Sequence, residues 1–245
     1  MIRWRRGLST LGCLELTFAD TCRLTREHGV EGLELRTGLT PLPPVAEMRQ
    51  LLASHDLSVL AVASSARLAD PAAYAATAHV LRADVELALA LEAAYVRVFP
   101  GGTDRRTVAR HLSALDNLDP TDGPVLALET HDHLPTGRAV ADLVTELDDP
   151  RLGAVWDALH PWRAGEAIGE TAEALLPLRG YVQVKDAALD DPTPRLLGTG
   201  AVPLDALRTA LEQHAYGGWV SLEWERAWYP DVPPLADVLA DTAGW

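Results

Sequence analysis

The chain has 245 residues, 48% of them hydrophobic, so it can bury a large core. Its 35 acidic residues outnumber its 21 lysines and arginines, which gives a formal net charge of -14. A surface this acidic repels phosphate backbones and argues against nucleic acid as a partner. No uncharged apolar stretch of about 18 residues is present, which argues against a membrane span.

The two cysteines, Cys13 and Cys22, do not form a CxxC pair, which argues against a zinc ribbon or a redox motif. The first ten residues, MIRWRRGLST, are basic but lack the apolar segment of a signal peptide. We therefore expect the protein to reside in a reducing cytoplasm.

Short apolar runs alternate with helical patterns along the whole chain. The apolar runs predict strands at residues 7–12, 30–36, 57–65, 94–102, 124–132, 152–160, 181–187 and 218–225. The helical patterns that follow them cover residues 15–28, 45–55, 71–92, 104–117, 136–147, 165–178, 203–214 and 234–241.

Continuous apolar strands of this kind are typical of parallel strands that are covered on both faces. Eight strand–helix units predict an α/β fold, namely a single (β/α)8 TIM barrel spanning residues 1–245. A doubly wound open sheet is the alternative. No GxGxxG motif follows the first predicted strand, which disfavours a Rossmann fold.

The ends of the last four predicted strands carry oxygen-bearing side chains. A barrel of parallel strands builds its active site at these C-terminal ends. The four residues are Glu129, Asp157, Gln183 and Glu223. A single acid at a strand end is often only a helix cap. Several buried acids together repel one another and resist ionisation, and a divalent cation removes that conflict. Oxygen ligands favour Mn²⁺ or Mg²⁺, with Co²⁺ or Zn²⁺ as further options.

Two further side chains are expected near these acids. His160 follows Asp157 by three residues and can serve as a further ligand or as a donor to bound substrate. Lys185 shares the strand face of Gln183 by two-residue alternation and could donate a hydrogen bond or shuttle a proton. By contrast, His131 and His133 are expected in an exposed loop, although one of them could hydrogen-bond to a residue that binds the metal.

Three more charged residues are candidates for substrate contacts. Arg195 lies in the predicted loop before LGTG and could hold a substrate oxygen or carboxylate, or be a solvated loop charge. Arg97 and Glu34 end earlier strands and could line the cavity. The alternative for these two is a structural ion pair inside the barrel.

The segments LALETH, VWDALH, VQVKD with LGTG, and SLEWE resemble the sugar isomerase/epimerase superfamily of xylose-isomerase-like TIM barrels. This group includes ketose 3-epimerases, hydroxypyruvate isomerase, inosose dehydratase and endonuclease IV. The resemblance covers essentially the whole chain. It implies a divalent metal held by Glu129, Asp157, Gln183 and Glu223, and a glycine loop at 198–200 near the substrate.

The chain departs from most relatives in having glutamine, not histidine, at position 183, as in the hydroxypyruvate isomerase branch. It also lacks the histidine-rich first half of endonuclease IV, which argues against DNA repair.

In the isomerases and epimerases of this group, two metal-bound glutamates move a proton next to a substrate carbonyl, and the metal stabilises the enediolate. The resemblance assigns these roles to Glu129 and Glu223. It implies a divalent-metal-dependent isomerase or epimerase of a small hydroxy-carbonyl substrate, a sugar or a keto acid, in carbohydrate metabolism.

Two alternatives stay open. One is a metal-dependent dehydratase of a cyclic polyol or keto acid, with Lys185 or His160 as the acid. The other is a non-catalytic ligand-binding barrel. The expected partner is a small molecule, with no nucleic acid and no membrane. The sequence leaves open the oligomeric state, for which a homodimer is one option.

Overall fold

Eight parallel strands close into a barrel in the computed structural model, in the order β1-β2-β3-β4-β5-β6-β7-β8. The structure describes residues 3–115, 118–119 and 121–241. The strands are β1 (Arg5–Ser9), β2 (Gly32–Arg36), β3 (Ser58–Arg67), β4 (Tyr95–Phe99), β5 (Val125–Glu129), β6 (Leu152–Asp157), β7 (Gly180–Val184) and β8 (Trp219–Leu222). The fold is the predicted single (β/α)8 TIM barrel. The alternative of an open sheet is wrong, because β1 pairs with β8.

Helices follow the strands around the barrel. They are α1 (Phe18–Glu27), α2 (Val45–Ser54), α3 (Tyr74–Ala90), α4 (Arg105–Ser113), α5 (Gly137–Leu147), α6 (Leu159–Arg163), α7 (Ile168–Leu175), α8 (Leu204–Gln213) and α9 (Leu235–Asp241). Short 3-10 helices cover Thr10–Cys13 and Pro71–Ala73. Within the described ranges, no helix combines the length and the apolar character that crossing a membrane requires.

Several predicted boundaries differ from the observed ones. The first strand is β1 and not residues 7–12, because Thr10–Cys13 turn into a 3-10 helix. The sixth strand ends at Asp157, since the next residues form α6, which the sequence pattern did not predict. The predicted helix 104–117 corresponds to α4, and its residues 116–117 lie outside the described residues.

Side-chain alternation divides the barrel interior into an apolar floor and a polar level above it. The apolar floor consists of Leu60, Ala61, Ala127, Val155, Tyr181 and Trp219. Its packing is tight: a Cβ on Gly32 would lie 2.6 Å from the Trp219 ring, so only glycine fits there. Two residues further along β5 to β8, the same face carries Glu129, Asp157, Gln183 and Ser221. The polar level therefore rests on a packed floor at the C-terminal mouth of the barrel.

Candidate active site

The ammonium group of Lys185 lies among carboxylates at the barrel mouth. Its Nζ is 2.8 Å from Asp157 Oδ2, 2.7 Å from Glu223 Oε2 and 3.3 Å from Glu225 Oε1. Lys185 is buried, as are Asp157 and Glu223. Burial alone would lower the pKa of Lys185, but the surrounding carboxylates raise that pKa well above its ordinary value. Lys185 is therefore a buried cation that neutralises part of the acid cluster.

The sequence contains 20 arginines and one lysine, Lys185. An ammonium group is a compact charge with three donors, whereas a guanidinium group is a planar fork. Three carboxylate oxygens from different residues surround Nζ within 3.3 Å. A compact charge suits this arrangement, which gives a physical reason for lysine at this position in a chain that otherwise uses arginine.

The two oxygens of Asp157 have different partners. Oδ1 accepts hydrogen bonds from the backbone N–H groups of Leu159 at 2.8 Å and His160 at 3.2 Å, and so starts α6. Oδ2 faces Lys185. Burial alone would raise the pKa of Asp157, but the Lys185 charge and these hydrogen bonds hold it below its ordinary value. Asp157 is therefore a helix cap through one oxygen and a member of the acid cluster through the other.

Gln183 is oriented by Glu34. Its Nε2 donates to Glu34 Oε1 at 2.7 Å and to Glu223 Oε1 at 3.5 Å. This orientation leaves Gln183 Oε1 buried and without a hydrogen-bond partner among the described residues. Burial and the nearby Glu223 charge raise the pKa of Glu34 to about 7. Glu34, which the sequence suggested as a substrate contact, thus has Gln183 as its immediate partner.

Glu129 pairs with Arg97 inside the barrel. Arg97 Nε lies 3.2 Å from Glu129 Oε2, and Arg97 Nη1 donates to the carbonyl of Ser64 at 3.1 Å. Burial raises the pKa of Glu129 well above its ordinary value, although the Arg97 charge opposes this shift. Arg97 therefore forms an ion pair inside the barrel, as the alternative above suggested. Its partner at 3.2 Å is Glu129.

His160 lies on α6 with its ring largely buried, and burial lowers its pKa to about 4. The His131 ring stands edge-on to it, with 4.6 Å between ring centroids. The expectation that His131 is an exposed loop residue is therefore wrong, whereas His133 is exposed. Sequence spacing missed this contact, because it joins the loop after β5 to a helix that the sequence did not predict.

Arg195 is not brought to the acid cluster by any described contact. Its side chain is 46% exposed and lies 4.0 Å from Asp191 in the same loop. This position fits the alternative of a solvated loop charge.

The glycine loop is held by Asp186. Its carboxylate accepts four backbone hydrogen bonds at 2.9–3.1 Å, from Ala187, Gly198, Gly200 and Val202. A buried acid thus fixes the loop that the resemblance places near the substrate.

The predicted ligand set has the donor chemistry of a divalent metal site. Gln183 Oε1 is buried and has no hydrogen-bond partner among the residues the structure describes, whereas Glu129 Oε2 and Asp157 Oδ2 have ion-pair contacts only, with Arg97 and Lys185. Buried acceptors of this kind are costly to leave without a partner. Hard oxygen donors at this density suit Mn²⁺ or Mg²⁺. The residues therefore fit a divalent cation, which would share Asp157 and Glu223 with Lys185.

Comparison with solved structures identifies TIM barrels of the same shape. The 3-keto-D-glucoside 4-epimerase YcjR from E. coli aligns with a TM-score of 0.81 at 16% identity, covering 99% of this chain and 98% of that one. The IolI protein with a bound zinc atom aligns with a TM-score of 0.80 at 17% identity, covering 98% and 96%. The probable 3-DHS dehydratase AsbF from Bacillus anthracis aligns with a TM-score of 0.76 at 18% identity, covering 98% and 97%.

At these identities the solved structures support the fold alone. A search of curated proteins by sequence finds no significant match. The family model described as xylose isomerase-like TIM barrel matches residues 22–245 and confirms the resemblance drawn from the strand-end motifs. The chain therefore belongs to the xylose isomerase-like TIM barrel family.

Proposed function

We propose that the protein is a metal-dependent isomerase or epimerase of a small hydroxy-carbonyl compound, a sugar or a keto acid. The observation that carries this proposal is the convergence of Glu129 and Glu223 with Asp157 and Gln183 at the barrel mouth, all of them buried. A divalent cation held by these four residues would supply Lewis-acid stabilisation of negative charge on a substrate oxygen.

The two glutamates have different electrostatic surroundings. Glu129 Oε2 faces Arg97, whereas Glu223 Oε2 faces Lys185. Pairs of acids in unlike environments are the usual arrangement for removing a proton at one atom and returning it at another. Burial raises the pKa of Glu129 above its ordinary value, a direction that is common for carboxyl groups that exchange protons in active sites. We assign Glu129 and Glu223 to these two steps.

Lys185 and Arg97 are the proposed donors to substrate oxygens, because both are buried cations that contact the two glutamates. Glu34 would act through Gln183, whose amide it orients. Arg195 could contact substrate only if its loop bends towards the mouth, because its side chain is now 46% exposed.

A dehydratase is the second candidate, and the position of Lys185 favours it. Loss of a β-hydroxide needs an acid, and the Lys185 ammonium lies 2.7 Å from the proposed base Glu223. One structure of the same fold is that of a probable 3-DHS dehydratase. Product mass separates the two reactions, because isomerisation conserves mass and dehydration removes one water.

For cellular context we propose a cytoplasmic enzyme that acts on a small molecule and binds neither nucleic acid nor membrane. The acidic charge and the two free, buried cysteines support this proposal.

The test is solvent deuterium exchange. The protein is incubated with Mn²⁺ in D₂O with a panel of ketoses, hydroxypyruvate and cyclic polyols, and substrate deuteration is followed by mass spectrometry. The wild-type protein is expected to deuterate one class of these compounds. The variants Glu129→Gln and Glu223→Gln are each expected to incorporate no deuterium. Glu173→Gln, at an exposed position on α7, is the matched control. Retained exchange in both glutamate variants, or no exchange with any compound, would contradict the proposal.

A further inference from the structure

A second group of metal-ligand atoms lies beside the oxygen set, where β5 and β6 end. Glu129, His131 and His160 each offer one ligand atom, and these atoms lie within 4.8 Å of one another. We propose that these three residues form a transition-metal position, separate from the other predicted oxygen ligands. The position does not depend on which reaction the barrel catalyses.

All three residues carry a buried side-chain atom that lacks a hydrogen bond in the described part of the chain, and for His131 this atom is Nδ1. His160 Nε2 and Glu129 Oε2 have no hydrogen-bond partner among the described residues. Glu129 Oε2 has an ion-pair contact with Arg97 Nε, at 3.2 Å. An unsatisfied buried polar atom costs roughly 1–3 kcal/mol. Coordination of a metal ion would give the His160 ring nitrogen a partner, and Glu129 would then be shared between the metal and Arg97.

The third residue, His131, is held in a defined orientation. Its Nδ1 lies 2.8 Å from Asp132 Oδ1, and its ring packs 4.8 Å from the Phe99 ring. Ligating histidines commonly engage a carboxylate through one ring nitrogen, which fixes the ring and leaves the other nitrogen to bind the metal. Asp132 lies close enough to orient the His131 ring, and either ring nitrogen of His131 is a candidate ligand atom.

The donor types select a metal that differs from the one expected at the oxygen set. Two imidazoles and one carboxylate are three protein ligands of the kind found in catalytic zinc sites, where water or substrate takes the fourth position. Purely oxygen donors favour Mg²⁺ or Mn²⁺, whereas imidazole suits Zn²⁺ and other late first-row transition metals. Metal–ligand bonds of about 2.0–2.2 Å bring tetrahedral ligand atoms to roughly 3.5 Å from one another. Small side-chain rotations can close the present spread of up to 4.8 Å.

Charge balance supports the separation of the two positions. Asp157 and Glu223 already share the Lys185 ammonium, at 2.8 and 2.7 Å. His131 and His160 contact no cationic side chain in the described contacts, and each packs against the other's ring. A metal at this position therefore leaves both Lys185 ion pairs in place, and the one cation among the described residues with which it shares a ligand is Arg97, through Glu129.

The first test is Co²⁺ titration followed by visible absorption, with unfolding temperatures recorded for every variant. His131→Ala and His160→Ala are each expected to weaken Co²⁺ binding at least about 10-fold. His133→Ala, at an exposed position two residues after His131, is the matched control and is expected to bind as wild type. Mn²⁺ affinity, which relies on oxygen donors, is expected to change less than about 3-fold in all three. Equal Co²⁺ affinity in the His131, His160 and His133 variants would overturn the proposal.

The second test does not rely on variants. Crystals of the wild-type protein loaded with Co²⁺ are expected to show an anomalous peak within bonding distance of Glu129, His131 and His160. A peak confined to Asp157, Gln183 and Glu223, or no bound Co²⁺, overturns this inference. The proposed reaction is judged separately, by deuterium exchange with Mn²⁺, so the two proposals can fail independently.

Discussion

The ammonium nitrogen of Lys185 lies 2.7 Å from Oε2 of Glu223. The same nitrogen is 2.8 Å from Oδ2 of Asp157, so one cation serves two of the four predicted metal ligands. Arg97 serves a third, Glu129. The barrel mouth thus supplies positive charges of its own, and any metal there must share the acids with them.

Replacing Lys185 by methionine should destabilise the metal-free protein and increase its dependence on metal. Removing one partner of a buried ion pair leaves its carboxylates uncompensated, at a cost of about 3–5 kcal/mol. A divalent cation can replace the lost charge, so Mn²⁺ should raise the unfolding temperature more in Lys185→Met than in wild type. Arg195→Met removes an exposed charge and is the control. If Mn²⁺ raises the unfolding temperature equally in both variants and wild type, Lys185 and metal do not share the acids.

The hydrogen bond from Gln183 Nε2 to Glu34 Oε1 should control metal affinity. Glu34→Leu removes the acceptor and lets the Gln183 amide rotate. Glu34→Gln keeps a side chain of the same size that still has an acceptor oxygen. Loss of a partner that orients a ligand typically costs 10–100-fold in metal affinity. We therefore expect weaker Mn²⁺ binding in Glu34→Leu than in Glu34→Gln, measured by electron paramagnetic resonance of free Mn²⁺. Equal affinity in the two variants would show that Glu34 does not orient the ligand.

Asp186→Ala should release the glycine loop. The Asp186 carboxylate accepts four backbone hydrogen bonds, and bonds to a charged group contribute more than neutral ones, so we expect a loss of about 3 kcal/mol in the free energy of unfolding. Asp190→Ala, at an exposed position in the same loop, should change it by less than about 0.5 kcal/mol. Urea unfolding measures both, and limited proteolysis should cut residues 188–200 faster only in Asp186→Ala.

His111 should make the protein sensitive to acid. Its ring is buried against Tyr74, with 4.4 Å between ring centroids, and neither nitrogen has a hydrogen-bond partner among the described residues. Burial and the neighbouring Arg110 lower its pKa from 6.5. The unfolded chain therefore binds a proton more readily, so stability is full above about pH 6.5 and declines as pH falls through the lowered pKa.

The measurement is the unfolding temperature between pH 7.5 and pH 5, with metal absent. In His111→Phe the unfolding temperature should fall less at acid pH than in wild type. The corresponding difference in the free energy of unfolding is about 1.4 kcal/mol per unit of pKa shift. His79→Gln, at an exposed position on α3, should leave the decline unchanged. A His111→Phe profile parallel to wild type would contradict the assignment.

Alternation of apolar strands and helices was sufficient to predict the barrel. Strands such as β5 and β6 are covered on both faces, so their sequences are continuously apolar until the mouth. The first polar side chain at each strand end, such as Glu129 or Asp157, therefore marks the mouth. The position of Lys185 also followed from two-residue alternation, because it lies one residue past the end of β7, on the same face as Gln183.

Contacts between different loops could not be predicted in the same way. The His131–His160 contact depends on α6, which begins because Asp157 Oδ1 accepts two backbone hydrogen bonds. A strand pattern gives no information about such a cap. The exposure of Arg195 likewise depends on the path of its loop, and local sequence does not determine that path.

The single lysine can serve as a site-specific probe for nuclear magnetic resonance. Apart from the amino terminus, Lys185 is the only primary amine, so reductive ¹³C-methylation can label no other side chain, and it reaches Lys185 only when the surrounding carboxylates release its proton. The methyl resonance of Lys185 would report whether metal or substrate occupies the barrel mouth, and no amino-acid substitution would be needed. Resistance of that amine to the reagent would in turn measure how firmly the carboxylates hold it.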